Sequence, residues 1–381
     1  MKIVVLPDKF KGTLSAQEAS EAISEGIVHA AAVTGRNDVE IIRKPMADGG
    51  EGTLRILVRP EDIVTVQSFD ARMRAIDSEI GIATCGGIKH GIIESATSIG
   101  LSRLKRSERN PEETTSYGLG VQIRSALEAG CRKLTIAIGG TATNDCGAGM
   151  LAALGAKHYY ANGHTAAYPC GKDLLNITKI DLCGLIEELS EAEITIMCDV
   201  DNPLLGPEGA TMTFGRQKGA DRQMLQRLEY GAKHYSEILS KVSGKDLRMQ
   251  AGSGAAGGIG WALSSVSGAG YAAGAATVSK ITGISEAVEG ASLFVTGEGR
   301  CDMSSMHGKV AGYVARLGRE HNIPVMVLCG IRDHNLNHET ARRAGIFSIN
   351  AITDHATIQE AMEHPHEELQ RMTQLIFEQI L

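Results

Sequence analysis

The order of apolar and polar positions predicts alternating strands and helices at the start of the chain and again in its last third. Residues 2–6 form a short apolar run typical of a buried strand, and residues 292–296 form another. After the first run, residues 15–32 have helical spacing. Ser15 followed by Glu18 is a capping box, which marks the start of that helix.

The middle of the chain has a different pattern. Residues from about 63 to 95 alternate as strands of an antiparallel sheet do, whereas the last third closes with one packing helix over residues 357–381. We therefore predict an α/β fold with two different α/β domains. One is Rossmann-like or flavodoxin-like, has a mostly parallel sheet and is discontinuous (residues 1–70 and 280–381). The other is a mixed α/β domain inserted into it (residues 71–279).

Glycine-rich polar loops follow several predicted strands or begin a predicted helix. The clearest is residues 139–147, which lies between an apolar run at 133–137 and a helical run from Met150. Glycine lets backbone N–H groups approach an anion closely, so such a loop suits a phosphorylated ligand. A tight turn is the alternative for any single loop, but the pattern repeats. The other loops are residues 7–14, 47–53, 198–204, 214–220, 252–260 and 297–302.

Acidic and basic side chains are concentrated in these loops. The acids are Asp8, Asp48, Glu51, Asp145, Asp199, Asp201, Glu298 and Asp302, and the cations are Lys9, Lys11, Arg216, Lys218, Arg300 and Lys309. Phosphoryl transfer needs this mixture, because amides and cations neutralise phosphate oxygens, acids hold Mg²⁺ and one carboxylate accepts a hydroxyl proton. Asp199 and Asp201 suit Mg²⁺, and an Asp- and Asn-rich turn before proline is the alternative there.

Composition and charge narrow the class of protein. A chain of 381 residues is longer than a domain with one hydrophobic core usually is, so two domains are expected. A net charge of −7 with no basic stripe argues against a nucleic-acid partner. There is no signal peptide and no run of about 18 apolar residues, so we expect no membrane partner and a cytoplasmic location. Residues 252–260 contain G-x-G-x-x-G, but no strand precedes it, which disfavours a dinucleotide-dependent oxidoreductase.

As a set, the loop motifs resemble the type I glycerate kinase family, which includes the bacterial glycerate 2-kinases. In chain order they are Asp-Lys-Phe-Lys-Gly-Thr-Leu-Ser-Ala (8–16), Ala-Asp-Gly-Gly-Glu-Gly-Thr (47–53), Gly-Gly-Thr-Ala-Thr-Asn-Asp (139–145), Cys-Asp-Val (198–200) with Asn-Pro-Leu (202–204), Gln-Lys-Gly-Ala (217–220), Gly-Ala-Ala-Gly-Gly (254–258), and Gly-Glu-Gly-Arg (297–300) with Asp302 and Gly-Lys (308–309). The resemblance spans essentially the whole chain. It implies two different α/β domains with the active site in the cleft between them, and transfer of the ATP γ-phosphate to glycerate with Mg²⁺.

The resemblance and the loop chemistry together suggest a role for each candidate residue. We predict Asp8, Lys11 and Asp302 as catalytic residues, Asp48, Glu51, Glu298, Arg300 and Lys309 as substrate-binding residues, Gly139, Gly140, Thr141, Asn144, Asp145, Gly254, Gly257 and Lys218 as ATP-binding residues, and Asp199 and Asp201 as Mg²⁺ ligands. The general base is either Asp8 or Asp302, and the sequence does not choose between them. For D-glycerate we favour attack by O2, giving 2-phosphoglycerate, with 3-phosphoglycerate as the alternative.

Four positions depart from the family pattern. Cys146 stands where a second glycine is usual, Arg216 and Ala311 where proline is common, and Ser304 near a common glutamine. These departures bear on which substrate the protein prefers and on how tightly it binds that substrate. A non-catalytic protein that binds a phosphorylated metabolite is the alternative from a different class, although it would have little need of so many acids. We expect ATP and glycerate as small-molecule partners and leave a homodimer open.

Overall fold

The computed structural model describes residues 1–306, 309–336 and 338–381. It divides into two compact units. The first unit contains Met1–Asp48 and Ala273–Leu381, and the second contains Gly49–Ala272. The first has a five-stranded sheet, and the second has a six-stranded sheet. Gly308, from the predicted Gly-Lys motif, lies outside the described residues.

Strands and helices alternate through most of the described residues. The strands are β1 (Lys2–Val5), β2 (Glu40–Arg43), β3 (Ile63–Phe69), β4 (Ala75–Cys85), β5 (Ile88–Glu94), β6 (Lys133–Ala137), β7 (Lys157–Tyr160), β8 (Ile177–Asp181), β9 (Glu193–Met197), β10 (Gly270–Ala272), β11 (Leu293–Cys301), β12 (Val325–Arg332) and β13 (Ser348–Ala351). The helices are α1 (Ala16–Thr34), α2 (Thr53–Leu57), α3 (Ala96–Ile99), α4 (Tyr117–Glu128), α5 (Ala148–Ala153), α6 (Glu188–Glu191), α7 (Ala210–Phe214), α8 (Arg222–Ser243), α9 (Ile259–Ser267), α10 (Gly274–Thr282), α11 (Ile284–Val288), α12 (Val310–His321), α13 (His338–Arg343), α14 (Ile358–Glu363) and α15 (Pro365–Phe377). None of the described helices is long and apolar enough to cross a membrane.

The sheet of the first unit has the order β13-β12-β11-β1-β2, and each pair of neighbours is parallel. Parallel strands are usually covered on both faces, which explains the apolar run of β1 and the apolar first half of β11, residues 293–295. Helices α1 and α15 pack together beside this sheet, with Ile23, Ile27 and Phe377 fully buried in one core cluster. The parallel register places the carboxyl end of β1 beside the middle of β11, since Val5 pairs with Val295 and β11 continues to Cys301.

Two helix predictions in this unit have different outcomes. The Ser15 hydroxyl accepts a hydrogen bond from the Glu18 N–H, and the Glu18 carboxylate accepts one from the Ser15 N–H, so the capping box is confirmed. The prediction of a single closing helix over residues 357–381 is wrong. It is divided into α14 and α15 at His364, because Pro365 has no N–H to donate and disfavours helical φ and ψ in the residue before it.

The sheet of the second unit has the order β10-β9-β6-β5-β4-β3. Strands β3, β4 and β5 form antiparallel pairs, as their alternation predicts, whereas β5, β6, β9 and β10 are parallel. The prediction of an α/β fold with one mostly parallel sheet and one mixed sheet is confirmed. The chain divides at 48/49 and 272/273, whereas we predicted 70/71 and 279/280. Residues 49–70 belong to the second unit, where β3 pairs with β4.

Candidate functional site

In the first unit, Asp8 lies three residues after the end of β1, beside the middle of β11. Its N–H donates to the Gly297 carbonyl oxygen at 2.8 Å, which ties the loop after β1 to β11. The carboxylate is 8% exposed, and its Oδ1 accepts a bond from the Lys9 N–H at 2.7 Å. Burial raises the pKa of Asp8 to about 6, although the neighbouring Lys9 ammonium opposes that shift. A carboxylate with this pKa can accept a proton near neutral pH.

The Lys9 ammonium links two of the predicted site carboxylates. Its Nζ lies 3.6 Å from Asp8 Oδ1 and 3.6 Å from Asp48 Oδ1. The structure therefore brings Asp8 and Asp48 together around one cation. We gave Lys9 no role from the sequence, although its place between Asp8 and Lys11 in a charged loop was a signal.

Glu298 is the second carboxylate whose charge is penalised by its surroundings. Burial raises its pKa to about 7, the nearby Asp8 and Asp302 add to the shift, and Ser305 and Lys309 oppose it. Within the described residues its Oε1 is buried without a hydrogen-bond partner. A buried carboxylate oxygen with no partner is left able to accept a hydrogen bond from a ligand.

Glycine on β11 allows the first loop to come close to Glu298. A Cβ at position 299 would lie 3.0 Å from the Lys11 backbone nitrogen, and one at position 297 would lie 2.4 Å from the Leu328 carbonyl oxygen. Phe10 and Leu14 pair across a tight turn in which Gly12 has φ +86°. The Lys11 side chain projects from this turn and is exposed.

The other predicted residues of this unit differ in exposure. Arg300 is exposed, and its guanidinium lies 3.4 Å from the Asp333 carboxylate. Asp302 Oδ1 accepts a bond from the Ser305 N–H at 3.3 Å, and the Asp302 N–H donates to the Ser305 hydroxyl at 3.1 Å. Asp302 therefore caps a short turn. Lys309 is half-buried and precedes α12.

In the second unit, the predicted glycine loops contact one another at the ends of β6 and β9. The Gly139 N–H donates to the Gly49 carbonyl oxygen at 3.0 Å, and the Cys146 N–H donates to the Gly257 carbonyl oxygen at 2.9 Å. The Gly254 N–H donates to the Asn202 carbonyl oxygen, also at 2.9 Å. These bonds gather four loops, namely residues 49–53, 139–147, 198–204 and 252–258.

Only the start of the loop at 139–147 is open to solvent. Gly140 is exposed and Gly139 is half-buried, whereas Thr141, Asn144 and Asp145 are at most 4% exposed. Asn144 Nδ2 donates to Thr211 Oγ1 at 3.0 Å, and in the described part of the chain Asn144 Oδ1 has no hydrogen-bond partner. The exposed part that could meet a ligand is therefore mainly glycine backbone.

Asp145 is surrounded by protein donors. Its Oδ2 accepts from the Ser116 N–H and hydroxyl, each at 2.7 Å, and from the Gly149 N–H at 3.2 Å, while Oδ1 accepts from the Gly147 N–H at 3.2 Å. Burial raises the pKa of Asp145, and these hydrogen bonds oppose the rise. The geometry shows this carboxylate holding the loop, α4 and α5 together.

Two residues at the junction of the glycine loops have backbone conformations that favour glycine. Cys146 has φ +50° and Ala256 has φ +53°. A side chain in this left-handed region costs about 1–3 kcal/mol, so surrounding contacts must enforce the conformation. The unusual φ also explains why glycine would suit position 146. The Cys146 thiol is 1% exposed, and burial raises its pKa.

The predicted Mg²⁺ ligands follow β9. Asp199 is half-buried and Asp201 is exposed. Among the described residues, no group of three or more His, Cys, Asp or Glu side chains could hold a metal ion. Two carboxylates two residues apart nevertheless fit Mg²⁺ chemically, because Mg²⁺ usually takes one or two carboxylates together with waters and substrate phosphates. Glu51 is exposed and accepts a bond from the Ser102 hydroxyl at 3.4 Å.

These features define an α/β enzyme with a cluster of carboxylates around one lysine in one unit and converging glycine loops in the other. A model of the glycerate kinase family matches residues 3–381. The chain belongs to the glycerate kinase family, which confirms the resemblance and the prediction of a phosphotransferase.

Named relatives are similar over nearly the whole chain. A glycerate kinase from Bacillus subtilis (strain 168) is 36% identical over 373 residues, covering 97% of this chain and 95% of the relative. A glycerate 2-kinase from Escherichia coli (strain K12) is 36% identical over 380 residues, covering 99% and 97%. A crystal structure from Salmonella typhimurium LT2, provisionally named glycerate kinase 2, is 34% identical with a TM-score of 0.80, covering 100% of this chain and 98% of that one.

Proposed function

We propose that this enzyme transfers the γ-phosphate of ATP to a hydroxyl of D-glycerate in the presence of Mg²⁺. The observation that carries the proposal is the Asp8–Lys9–Asp48 cluster beside Glu298, in which Asp8 is buried and the other two residues are half-buried, in a chain of the glycerate kinase family. Such a cluster offers a proton acceptor and charged groups for a small hydroxy acid. O2 is our preferred position of attack, and the similarity to the Escherichia coli glycerate 2-kinase supports it.

We assign the general base to Asp8 rather than Asp302. Asp8 is buried and has a pKa near 6, so it is ionised at neutral pH and still basic enough to take a hydroxyl proton. Asp302 already accepts a bond from the Ser305 N–H and caps a turn. Arg300 would hold the carboxylate of glycerate, because a guanidinium binds carboxylates bidentately.

The nucleotide is assigned to the glycine loops of the second unit. The backbone N–H of Gly140 is the exposed donor of the first loop, since the Gly139 N–H already donates to the Gly49 carbonyl oxygen, and Gly254 and Gly257 belong to the second loop. Asp199 and Asp201 would hold Mg²⁺, which when bound neutralises charge on the phosphate oxygens.

The experiment that tests the proposal measures ADP release with ATP and D-glycerate. Coupling the product to enolase, with and without a phosphoglycerate mutase, identifies the position of attack, because enolase consumes 2-phosphoglycerate directly. Signal without mutase supports attack by O2, and signal only with mutase means attack by O3. Tight nucleotide binding without ADP release would support a non-catalytic binding protein and refute the proposal.

A further inference from the structure

The segment formed by α7 and the turn after it holds the first glycine loop through two buried hydrogen bonds. The Lys218 ammonium donates to the Thr143 carbonyl oxygen at 2.6 Å, and Asn144 Nδ2 donates to Thr211 Oγ1 at 3.0 Å. All four residues are at most 2% exposed. Two adjacent loop residues are thus fixed by two residues that are seven positions apart on one segment.

Lys218 is an unusual residue to bury at this place. Within the described part of the chain it forms no ion pair within 4.0 Å, and the Thr143 carbonyl oxygen is the acceptor found for its ammonium. Burial lowers the pKa of Lys218 to about 8, while Asp145 and Cys146 oppose the shift. Burying an ammonium costs desolvation energy, which the hydrogen bond to Thr143 must offset.

The Thr143 carbonyl lies where the two glycine loops meet. A Cβ at position 257 would lie 2.3 Å from that oxygen, and the Cys146 N–H donates to the Gly257 carbonyl oxygen. Thr143 is three residues after Gly140, the exposed residue of the loop. A shift of this carbonyl would therefore change both the start of the first loop and its contact with the second.

We propose that Lys218 is a positioning residue for nucleotide binding, acting through the Thr143 carbonyl to fix the shape of the glycine loop without contacting the nucleotide. This differs from the direct ATP contact that we predicted from the sequence. The identity of the ligand rests on the proposed function. Two other roles make different predictions: a direct contact between the ammonium and a phosphate, and a contribution to stability alone.

The test compares four variants by the dissociation constant for ADP, measured calorimetrically, the KM for glycerate and the urea midpoint. Lys218→Met removes the donor, Lys218→Arg keeps one, and Thr211→Val removes the second tether without removing a charge. Lys233→Met is the control, since Lys233 is an exposed lysine on α8. Loss of a buried charged hydrogen bond that shapes the loop predicts an increase of roughly tenfold or more in the ADP dissociation constant for Lys218→Met.

The expected pattern distinguishes positioning from the other two roles. Lys218→Arg should recover most of the ADP affinity, Thr211→Val should weaken ADP binding in the same direction, and both KM for glycerate and the control should stay within about twofold of wild type. If Thr211→Val leaves ADP binding unchanged while Lys218→Met weakens it, the ammonium contacts phosphate directly and positioning is refuted. A lower urea midpoint with unchanged ADP affinity refutes it as well.

This test is separate from the test of function, because ADP binding is measured without turnover. An inactive enzyme that binds ADP still gives the comparison. If Lys218→Met does not fold, Thr211→Val and Lys218→Arg still decide, because positioning requires weaker ADP binding in the first and near-normal binding in the second.

Discussion

Replacing Ser116 with alanine tests whether the buried Asp145 cluster holds the glycine loop in shape. The Ser116 hydroxyl donates to Asp145 Oδ2 at 2.7 Å and accepts from the Met150 N–H at 2.9 Å. Ser116→Ala removes both bonds and changes the side-chain volume little. The Ser116 backbone N–H still donates to Asp145, so the variant isolates the hydroxyl.

The expected cost follows from those two bonds. A hydrogen bond to a charged group contributes about 1.5–3 kcal/mol, and a buried N–H left without an acceptor costs about 1–3 kcal/mol. The site is fully buried, so water cannot easily replace the hydroxyl. Together the two contributions predict a loss of about 2.5–6 kcal/mol in the free energy of unfolding of the second unit.

The assay is urea unfolding followed by tryptophan fluorescence. Trp261 is the single tryptophan of the chain and is fully buried in the core of the second unit, so its emission reports on that unit. With a urea slope of about 2–3 kcal/mol per molar, the midpoint should fall by about 1 M or more. A far smaller fall in the urea midpoint is expected when Ser125 is replaced. Ser125 lies on α4, the helix that Ser116 precedes, and its hydroxyl donates to the Val121 carbonyl oxygen.

Ser125→Ala is therefore the matched control, with an expected change within about 0.5 kcal/mol. Equal midpoints for Ser116→Ala and Ser125→Ala would refute the reasoning, since the Asp145 cluster would then contribute nothing measurable. A large loss in Ser116→Ala together with weaker ADP binding would show that stability and loop shape depend on the same bonds.

The remaining predictions concern both units. Asp8→Asn should abolish turnover. In the wild type, kcat/KM should fall on the acidic side with a midpoint near pH 6, because below that pH the Asp8 carboxyl is protonated and cannot accept a proton. A midpoint near pH 4 would contradict this assignment. Arg300→Lys should raise KM for glycerate about tenfold and leave the ADP dissociation constant unchanged, since lysine cannot bind a carboxylate bidentately. Cys146→Gly should leave kcat/KM unchanged. Its urea midpoint should stay near that of the wild type, because glycine removes the backbone strain at φ +50° and this gain offsets the lost packing of the thiol. Gly257→Ala should lose ADP binding in calorimetry, because its Cβ would lie 2.3 Å from the Thr143 carbonyl oxygen at φ +70°.

Local patterns were sufficient to predict most of the secondary structure. The apolar runs of β1 and β11, the alternation of β3 to β5 and the capping box at Ser15 each depend on residues close in sequence, which the chain displays directly. The break at Pro365 was also readable from the proline rule, and we missed it by giving weight to the apolar face alone.

The hydrogen bonds that hold the candidate site in shape could not be predicted from local patterns. Asp145 pairs with Ser116 over 29 positions, and Lys218 reaches Thr143 over 75. No spacing rule connects such residues, because the parallel strand order of the sheet decides which loops meet. The sequence indicated which loops carry chemistry, but it did not separate residues that face a ligand from residues that hold the loop.

That distinction changes how the loop at 139–147 is understood. Its exposed residue is Gly140, and Gly139 is half-buried, whereas Thr143 to Asp145 are buried and tied to α7, its following turn and the start of α4. Cys146 and Ala256 hold unfavourable φ values at the junction, so the conformation persists only because buried hydrogen bonds enforce it. If the glycines bind phosphate, weakening any of these bonds should weaken nucleotide affinity even though the altered residue contacts no ligand. Substitutions behind the loop should then weaken ADP binding, as substitutions within the loop do.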